Sequence, residues 1–445
     1  MITRLRTNDF PLPFLSAWDP RATASGSIDP LGALRPFTAI ATTILPGVTT
    51  ITGRVRYLSW VCAGLRLLDE TNDAPFGGRA GRARRERVLA WERLVALATG
   101  TFAVASGADE ADDMWRLLRG VSYIRRAVSE GVRSPAFPML RNQAGVGGVG
   151  TYWVTLVAGG LVEDDSGQLT PRGVKLADAF LDHKATPERS KLLLVLQGRP
   201  ITLQESELIE WGRVAHLGAA TARERSYLAD TLLDPPAHRR MASAMQATGS
   251  TLSDEHTFRR LYERLHQQRD PLAERLAAVL AVAVAFEALH RSLLYRFAQI
   301  RGLGYRRPIP VERVDLGAVD VSLTHLGNAL KDTLSTHGVH LPRNVADAVH
   351  GFSVAVEPAV RATSDKELVR SLVRHHERVQ AGKLDASRQP KLPWVELRGS
   401  DAIVAPRYAL DEPPTQPDDA RFTHPYRIEQ FSGMLREAGA WEVEP

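Results

Sequence analysis

The stretch 134–183 constrains the fold of this chain more than any other, because its helix and turn signals occur in a specific order. After a short apolar segment and a turn rich in glycine, residues 151–158 have the apolar spacing of a helix. Gly159-Gly160 end this helix, since glycine adopts the left-handed C-terminal cap most easily. Thr170 then begins a second helix as its N-cap, with Pro171 in the first turn.

Between the two helices the sequence predicts a two-stranded ribbon. Leu161-Val162 can form one strand, residues 163–167 can turn, and Gln168-Leu169 can return antiparallel. A helix, a ribbon and a helix in this order are typical of a winged helix-turn-helix domain. Five apolar side chains would form its small core: Leu156, Leu161, Leu169, Val174 and Leu176. Because many winged helices serve only as dimerisation or docking modules, the pattern predicts a fold and leaves the function open.

If this domain binds DNA, the helix at 151–157 must make the contact, because the ribbon is acidic at 163–165 and phosphate would repel it. We predict that three side chains reach the nucleic acid: Gln143, Thr151 and Tyr152. This hypothesis requires an exposed helix. A helix buried in the surrounding bundle would leave only a helical scaffold.

A basic run precedes this domain. Residues 79–93 contain six arginines and two glutamates, a local net charge of +4. We predict that four arginines contact phosphates without reading the base sequence: Arg82, Arg84, Arg85 and Arg141. The alternative is an ordinary helix start whose arginines pair with acidic neighbours.

Two further arginines stand at the beginning of an amphipathic helix. Arg54 and Arg56 precede the apolar positions Tyr57, Val61 and Leu65, which fall on one helical face. The helix dipole disfavours cations at this end unless an anion or a carboxylate is near. The placement therefore indicates either a bound partner or, as is commoner, a neighbouring Asp or Glu.

The chain has 445 residues, too many for one core, so we expect several domains in a mainly α protein. It is expected to be a multi-domain helical bundle with a central winged helix-turn-helix and a small C-terminal β-hairpin element across Gly399-Ser400. Four consecutive regions follow from the pattern: 1–133 with the basic loop, the winged unit 134–186, a bundle 187–302, and 303–445 with the hairpin and a terminal helix.

Localisation follows from cysteine usage and hydropathy. Cys62 is the only cysteine, which excludes an intramolecular disulfide and a cysteine-based zinc site and suits a reducing compartment. The first residues lack the apolar run of a signal peptide, and the longest apolar stretch, 276–286, is too short to span a bilayer. We expect a cytoplasmic protein without membrane contact. A net charge of +5 permits an anionic partner without requiring one.

Signatures of catalysis are mostly missing from the sequence, which contains no phosphate loop, no nucleophile elbow and no paired histidines at metal spacing. His375-His376 are adjacent on a predicted helix and point about 100° apart, so both cannot easily bind one metal. The turn at 147–150 lacks the strand that a dinucleotide loop needs. The carboxylates at 109–113 suit a helix N-terminus. We predict no catalytic residue, no metal and no cofactor.

Four segments resemble an uncharacterised bacterial family associated with defence islands and encoded near helicases and nucleases. They are IDPLGALRPFTAIATTILPGVTTITGRVRYLSWVCAGL (28–65), GGVGTYWVTLVAGGLVEDDSGQLTPRGVKLADAF (147–180), RHHERVQAGKLDASRQPKLPWVEL (374–397) and HPYRIEQFSGMLREAG (424–439). Arg56-Tyr57, Trp60 and Pro393-Trp394 look like hallmarks of that family. The resemblance implies a non-catalytic or adaptor component of an antiphage or plasmid-restriction system.

The sequence thus favours a DNA-binding or adaptor subunit of a bacterial defence assembly. Its partners would be double-stranded DNA and other protein subunits. One alternative is a pure scaffold for a helicase, nuclease or ATPase, which the acidic ribbon favours. A second is an enzyme whose site assembles from residues distant in sequence.

Overall fold

The structure is a computed structural model that describes residues 29–71, 80–109, 112–303, 308–316, 321–384, 388–410 and 421–441. The sequence also predicts an extended lead-in at 1–30, a glycine-containing loop at 71–85 and a proline-rich acidic linker at 410–420. The lead-in and the linker lie almost wholly outside the described residues, as does 72–79 of the loop, whereas 80–85 is helical.

The described chain is mainly helical, as the sequence predicts, with one small antiparallel sheet. The helices are α1 (Leu34–Ile44), α2 (Tyr57–Leu68), α3 (Ala80–Ala105), α4 (Val121–Ser129), α5 (Gln143–Val146), α6 (Gly148–Ala158), α7 (Pro171–Leu181), α8 (Arg189–Leu196), α9 (Glu205–Ala215), α10 (Ala222–Leu232), α11 (Pro236–Thr248), α12 (Glu255–His266), α13 (Pro271–Leu303), α14 (Val321–His337), α15 (Arg343–Val360), α16 (Asp365–Ala381) and α17 (Ile428–Glu437). The strands are β1 (Ile309–Pro310), β2 (Val395–Arg398) and β3 (Asp401–Val404), in the order β1-β3-β2.

The chain divides into two compact units, each made of two separate stretches. The helical unit contains residues 40–281 and the described residues after 420, and the sheet unit contains residues 29–39 and the described residues of 282–419. The four consecutive regions expected from the sequence do not coincide with these units, because α17 belongs with the helical unit.

The core of the helical unit is built around α3. Its side chains Trp91, Leu94 and Val95 are fully buried. A Cβ added to Gly212 of α9 would lie 2.1 Å from the carbonyl oxygen of Ala98, so only glycine permits this close approach of two helices. By length and composition α3 is the one described helix that could cross a membrane, but 67% of that window is buried, as in a core helix.

The stretch 134–183 has the predicted order of elements. Helix α6 is followed by a minimal ribbon, in which Val162 and Leu169 form an antiparallel bridge and the Glu163 N–H donates to the Gln168 carbonyl. Thr170 caps α7 by accepting a hydrogen bond from the Gly173 N–H. Two details differ: α6 begins at Gly148 inside the glycine-rich turn, and the apolar segment 136–140 is not helical.

Helical periodicity in the sequence also predicts a helix from Met114 to Val128 and a helix from Ala222 to Leu233 that Pro235-Pro236 end. The first prediction is wrong in its start: α4 begins only at Val121, because Leu117 and Gly120 have left-handed backbone angles of +58° and +74°. The second gives no helix directly after the prolines, whereas Pro236 occupies the first position of α11, where a missing N–H has no cost.

The sheet unit contains α14–α16 and the three strands. The predicted hairpin is present as β2 and β3, with Gly399 in the left-handed turn position, and β1 adds a third strand. His376 of α16 donates from Nδ1 to the Pro30 carbonyl and accepts the Trp394 N–H at Nε2. Burial lowers the pKa of His376 to about 4, so the ring is neutral. The neutral ring of His376 thus holds the backbone of Trp394.

Candidate nucleic-acid interface

The helix predicted to read DNA, α6, is part of the interior of the helical unit. Its Thr151, Tyr152 and Trp153 side chains are buried. The Tyr152 hydroxyl accepts a hydrogen bond from the Arg54 N–H at 2.8 Å, and its ring stacks on Tyr57 with centroids 4.8 Å apart. The prediction that Thr151 and Tyr152 reach nucleic acid is wrong for this conformation, because the polar side of α6 faces α2 instead of solvent.

The N-terminus of α6 is occupied by a carboxylate from within the unit. Glu92 of α3 is buried, and its Oε1 accepts a hydrogen bond from the Gly148 N–H. Its other oxygen accepts from the Gln143 Nε2 at 3.0 Å, and the Gln143 Oε1 accepts from Arg93 at 2.7 Å. Gln143 is thus also buried, contrary to its predicted role as a DNA contact.

Several hydrogen-bond donors stabilise the buried Glu92 carboxylate at this helix end. Burial raises the pKa of Glu92, while hydrogen bonds from Gln143, Gly148 and Val149 act in the opposite direction. The exposed N–H groups of a helix start attract anions, and here a protein carboxylate satisfies them. A phosphate therefore has no place at the first turn of α6.

The basic run is used to hold the ribbon against α3. Arg84 is buried, donates from Nε to the Gly167 carbonyl at 3.0 Å, and pairs with Asp69. The Arg85 guanidinium lies 4.8 Å from the ring centroid of Trp153 on α6. The predicted phosphate contact from Arg84 is wrong, because its guanidinium faces the ribbon backbone and an internal carboxylate.

Two of the predicted phosphate contacts remain at the surface. The Arg82 side chain is 77% exposed and pairs with Glu86 one helical turn away at 3.0 Å. Arg141 is exposed in the loop before α5. The structure therefore brings Gln143, Tyr152, Arg84 and Arg85 into or against the protein interior and leaves Arg82 and Arg141 outside.

Arg54 and Arg56 are explained by carboxylates of the same unit. Arg56 is 2% exposed, and both oxygens of the fully buried Glu224 accept its hydrogen bonds at 2.8 and 2.9 Å. Arg54 pairs with Asp113 through two hydrogen bonds of 3.0 Å and with Glu437 at 3.3 Å. Of the two sequence hypotheses, the neighbouring carboxylate is correct. The carboxylates at 109–113 do not mark a helix N-terminus, because the next helix, α4, begins only at Val121.

Tyr57 and Trp60 of α2 form internal hydrogen bonds. The Tyr57 hydroxyl accepts the Arg119 N–H at 2.7 Å, and the Trp60 indole donates to the Ala215 carbonyl at 2.9 Å. Sequence reasoning missed Glu92 as the acceptor at the start of α6, and it missed Glu224 and Glu437 as the acidic partners of Arg56 and Arg54. Their spacing from the arginines, more than 160 residues for Glu224 and 380 for Glu437, leaves no local signal.

His375 and His376 are also structural. The His375 Nε2 lies 2.8 Å from the Leu31 carbonyl oxygen, and His376 is held by Pro30 and Trp394. Glu377 accepts the Leu397 N–H at 2.7 Å. The three residues join α16 to different backbone segments of the sheet unit.

Comparison of the chain with models of known protein families, with curated proteins and with solved structures gives no significant match.

Proposed function

We propose that this protein is a non-catalytic adaptor subunit of a bacterial defence assembly, which binds other protein subunits of that assembly. The observation that carries the proposal is the inward orientation of α6. Tyr152 of α6 accepts a hydrogen bond from the Arg54 N–H, and Gln143, in the short helix before α6, is bonded to Glu92 and Arg93. Thr151 is buried. In this proposal, 134–183 is a winged helix-turn-helix unit that serves packing, a use that many such units have.

A surface of the helical unit also supports protein binding. Leu117 has a left-handed backbone angle of +58° and a side chain that is 54% exposed. Left-handed backbone at a bulky residue costs about 1 to 2 kcal/mol, which exposure of the side chain does not offset. The segment that contains Ile51 lies close to Leu117, since a Cβ added to Gly53 would be 2.5 Å from the Leu117 Cδ1. The Arg119 guanidinium donates to the Ile51 carbonyl at 2.9 Å, and Ile51 is 48% exposed. An apolar surface of a partner subunit would cover both side chains.

Co-expression with the products of adjacent genes tests this proposal. We expect a complex that survives high salt, because an apolar contact is not screened by ions. Leu117→Asp should abolish co-purification, while Leu117→Gly should fold at least as well as the wild type, since glycine favours a positive φ. Leu303→Asp, an exposed leucine of the sheet unit, serves as the matched control. Complex formation unaffected by Leu117→Asp would remove this surface from the proposal.

A second function, contact with the backbone of a DNA duplex, has the exposed arginines in its favour. Arg82 and Arg141 could still bind phosphates from the surface. A gel-shift titration with duplex and single-stranded DNA at two salt concentrations separates the two functions. Salt-sensitive binding that is lost in Arg82→Ala with Arg141→Ala would support it. The adaptor proposal expects no shift of DNA by the protein alone.

A further inference from the structure

At the start of α17 stands a buried arginine that has no carboxylate beside it among the described residues. Arg427 is the N-cap residue of this helix and is 9% exposed, between the fully buried Tyr426 and Ile428. Its backbone is left-handed, with φ of +69°. Such backbone is uncommon outside glycine and is typical of functional sites. Both the conformation and the burial of this cation therefore require a compensating interaction.

The helical unit offers few interactions that would stabilise the buried Arg427 cation. Throughout the described residues, Thr42 is the one hydrogen-bond partner of the guanidinium, accepting from Nη1 at 3.3 Å, and Nε has none. Burial alone lowers the pKa of Arg427 to about 10, so the group stays charged at neutral pH. Arg56, buried more deeply, is bonded to both oxygens of Glu224. A buried charge without a counter-ion is strongly unfavourable.

The helix end adds a second feature that attracts anions. The N–H groups of the first turn of a helix have no partner within the helix. For α17, no cap from the Arg427 side chain satisfies them. The one acidic residue of this turn, Glu429, is exposed and accepts the distant Ser253 N–H at 3.4 Å. The cation and the first-turn N–H groups consequently lie at the same end of one helix.

The site is close to solvent. Thr42, which accepts the Arg427 hydrogen bond, is an exposed residue of α1. Beside it, the Gln430 Nε2 of α17 donates to the carbonyl of Thr50, which is also exposed. A small ligand can therefore reach this margin between α17 and residues 42–50 without unfolding the unit.

We propose that Arg427 and the first turn of α17 bind an oxyanion of the phosphoryl class. A guanidinium offers two parallel N–H donors that match phosphate oxygens, and a helix N-terminus offers backbone N–H groups and a positive dipole end. Binding neutralises the charge that the unit buries without a carboxylate. The phosphoryl group can belong to free inorganic phosphate or to a phosphate ester such as a nucleotide.

Thermal unfolding and calorimetric titration in phosphate-free buffer test the site, with inorganic phosphate in one arm and a nucleoside monophosphate in the other. For the wild type we expect the Tm to rise with ligand concentration and to saturate. Arg427→Met should lose this response and be at least as stable as the wild type without ligand. Arg436→Met, at the opposite end of α17, should keep the full response.

Arg427→Gly provides a second variant in case methionine disturbs folding, because glycine adopts φ of +69° without strain. It should fold and fail to bind either ligand. Binding in only one arm identifies the source of the phosphoryl group. Absence of saturable binding to the wild type in both arms would overturn the proposal, as would equal binding by Arg427→Met or Arg427→Gly.

Discussion

Two helix starts of the helical unit, those of α6 and α17, differ in what they place against their free N–H groups. Neither helix has an N-cap side chain that accepts a hydrogen bond. At α6, the buried carboxylate of Glu92 accepts the Gly148 N–H. At α17, the N-cap residue is the buried cation Arg427, without a carboxylate from the described residues.

The comparison distinguishes a charge that stabilises the fold, that of Glu92, from a charge that can bind a ligand, that of Arg427. When a carboxylate of another helix accepts the N–H groups of a helix start, these groups can no longer bind phosphate. This holds for α6, although α6 is the helix predicted to bind DNA. A helix start that carries a cation and lacks a counter-ion has an unsatisfied charge. Anion binding should therefore be sought at α17 instead of α6.

The largest effect should come from breaking a satisfied arginine pair. Arg56→Met leaves the fully buried Glu224 without its partner, so we expect the free energy of unfolding to fall by about 3 to 5 kcal/mol. Urea denaturation measures this value. Arg427→Met is the matched comparison and should cause no such loss. Similar destabilisation by both substitutions would show that the two buried cations are stabilised alike.

Removing the carboxylate at α6 should have the next largest effect. Glu92→Ala leaves the buried Gly148 N–H without its acceptor and removes one of the two acceptors of the Gln143 Nε2, the other being the Leu89 carbonyl. The loss should cost about 2 to 3 kcal/mol of stability. Glu86→Ala, on the exposed side of α3, should change the stability by less than about 0.5 kcal/mol. Chemical denaturation of both variants provides the measurement. An unchanged stability of Glu92→Ala would contradict the role assigned to this carboxylate.

The two neighbouring arginines of the basic run should behave differently. Arg84→Ala removes a buried contact to Gly167 and Asp69 and should cost about 1 to 3 kcal/mol. Arg82→Ala removes an exposed pair within one helix and should cost at most about 0.5 kcal/mol. Comparing their Tm values checks this. If Arg84→Ala keeps full stability and lowers duplex affinity, the phosphate contact predicted from the sequence is restored.

The smallest expected effect is a dependence of stability on pH, which comes from the burial of Glu92. Its pKa in the folded protein lies above the ordinary value of 4.5. Between these two values the folded state binds more protons than the unfolded state, so stability falls as pH rises through that window. Relative to Glu92→Gln, the wild type should gain stability as pH is lowered from neutral toward 4.5. Parallel stability curves for the two proteins would contradict this prediction.

Local signals in the sequence predicted much of the fold. Thr170 with Pro171, the Gly159-Gly160 stop and the hairpin across Gly399-Ser400 depend on caps and turns formed by adjacent residues. They were predicted because the physical cause lies within a few positions. The start of α11 was missed because Pro236 can end one helix or begin the next, and only tertiary packing decides between them.

The site could not be predicted in the same way. The exposure of α6 depends on whether another element covers its polar side, and that element, α2 with Arg54, lies about 100 residues earlier. Arg82 and Arg84 are two positions apart in one basic run, yet one is exposed and the other is buried against the ribbon. The number of charges in the run does not distinguish the two arginines. Which of them faces inward depends on the side of α3 that packs against a segment distant in sequence.

Hydrogen–deuterium exchange with and without phosphate tests the contrast between the two helix starts most directly. We expect amides at 148–156 of α6 to exchange slowly in both conditions, and amides at 428–430 of α17 to become protected only when phosphate is present. Rapid exchange at 148–156, or protection there on adding phosphate or duplex DNA, would contradict the account, as would an α17 that does not respond.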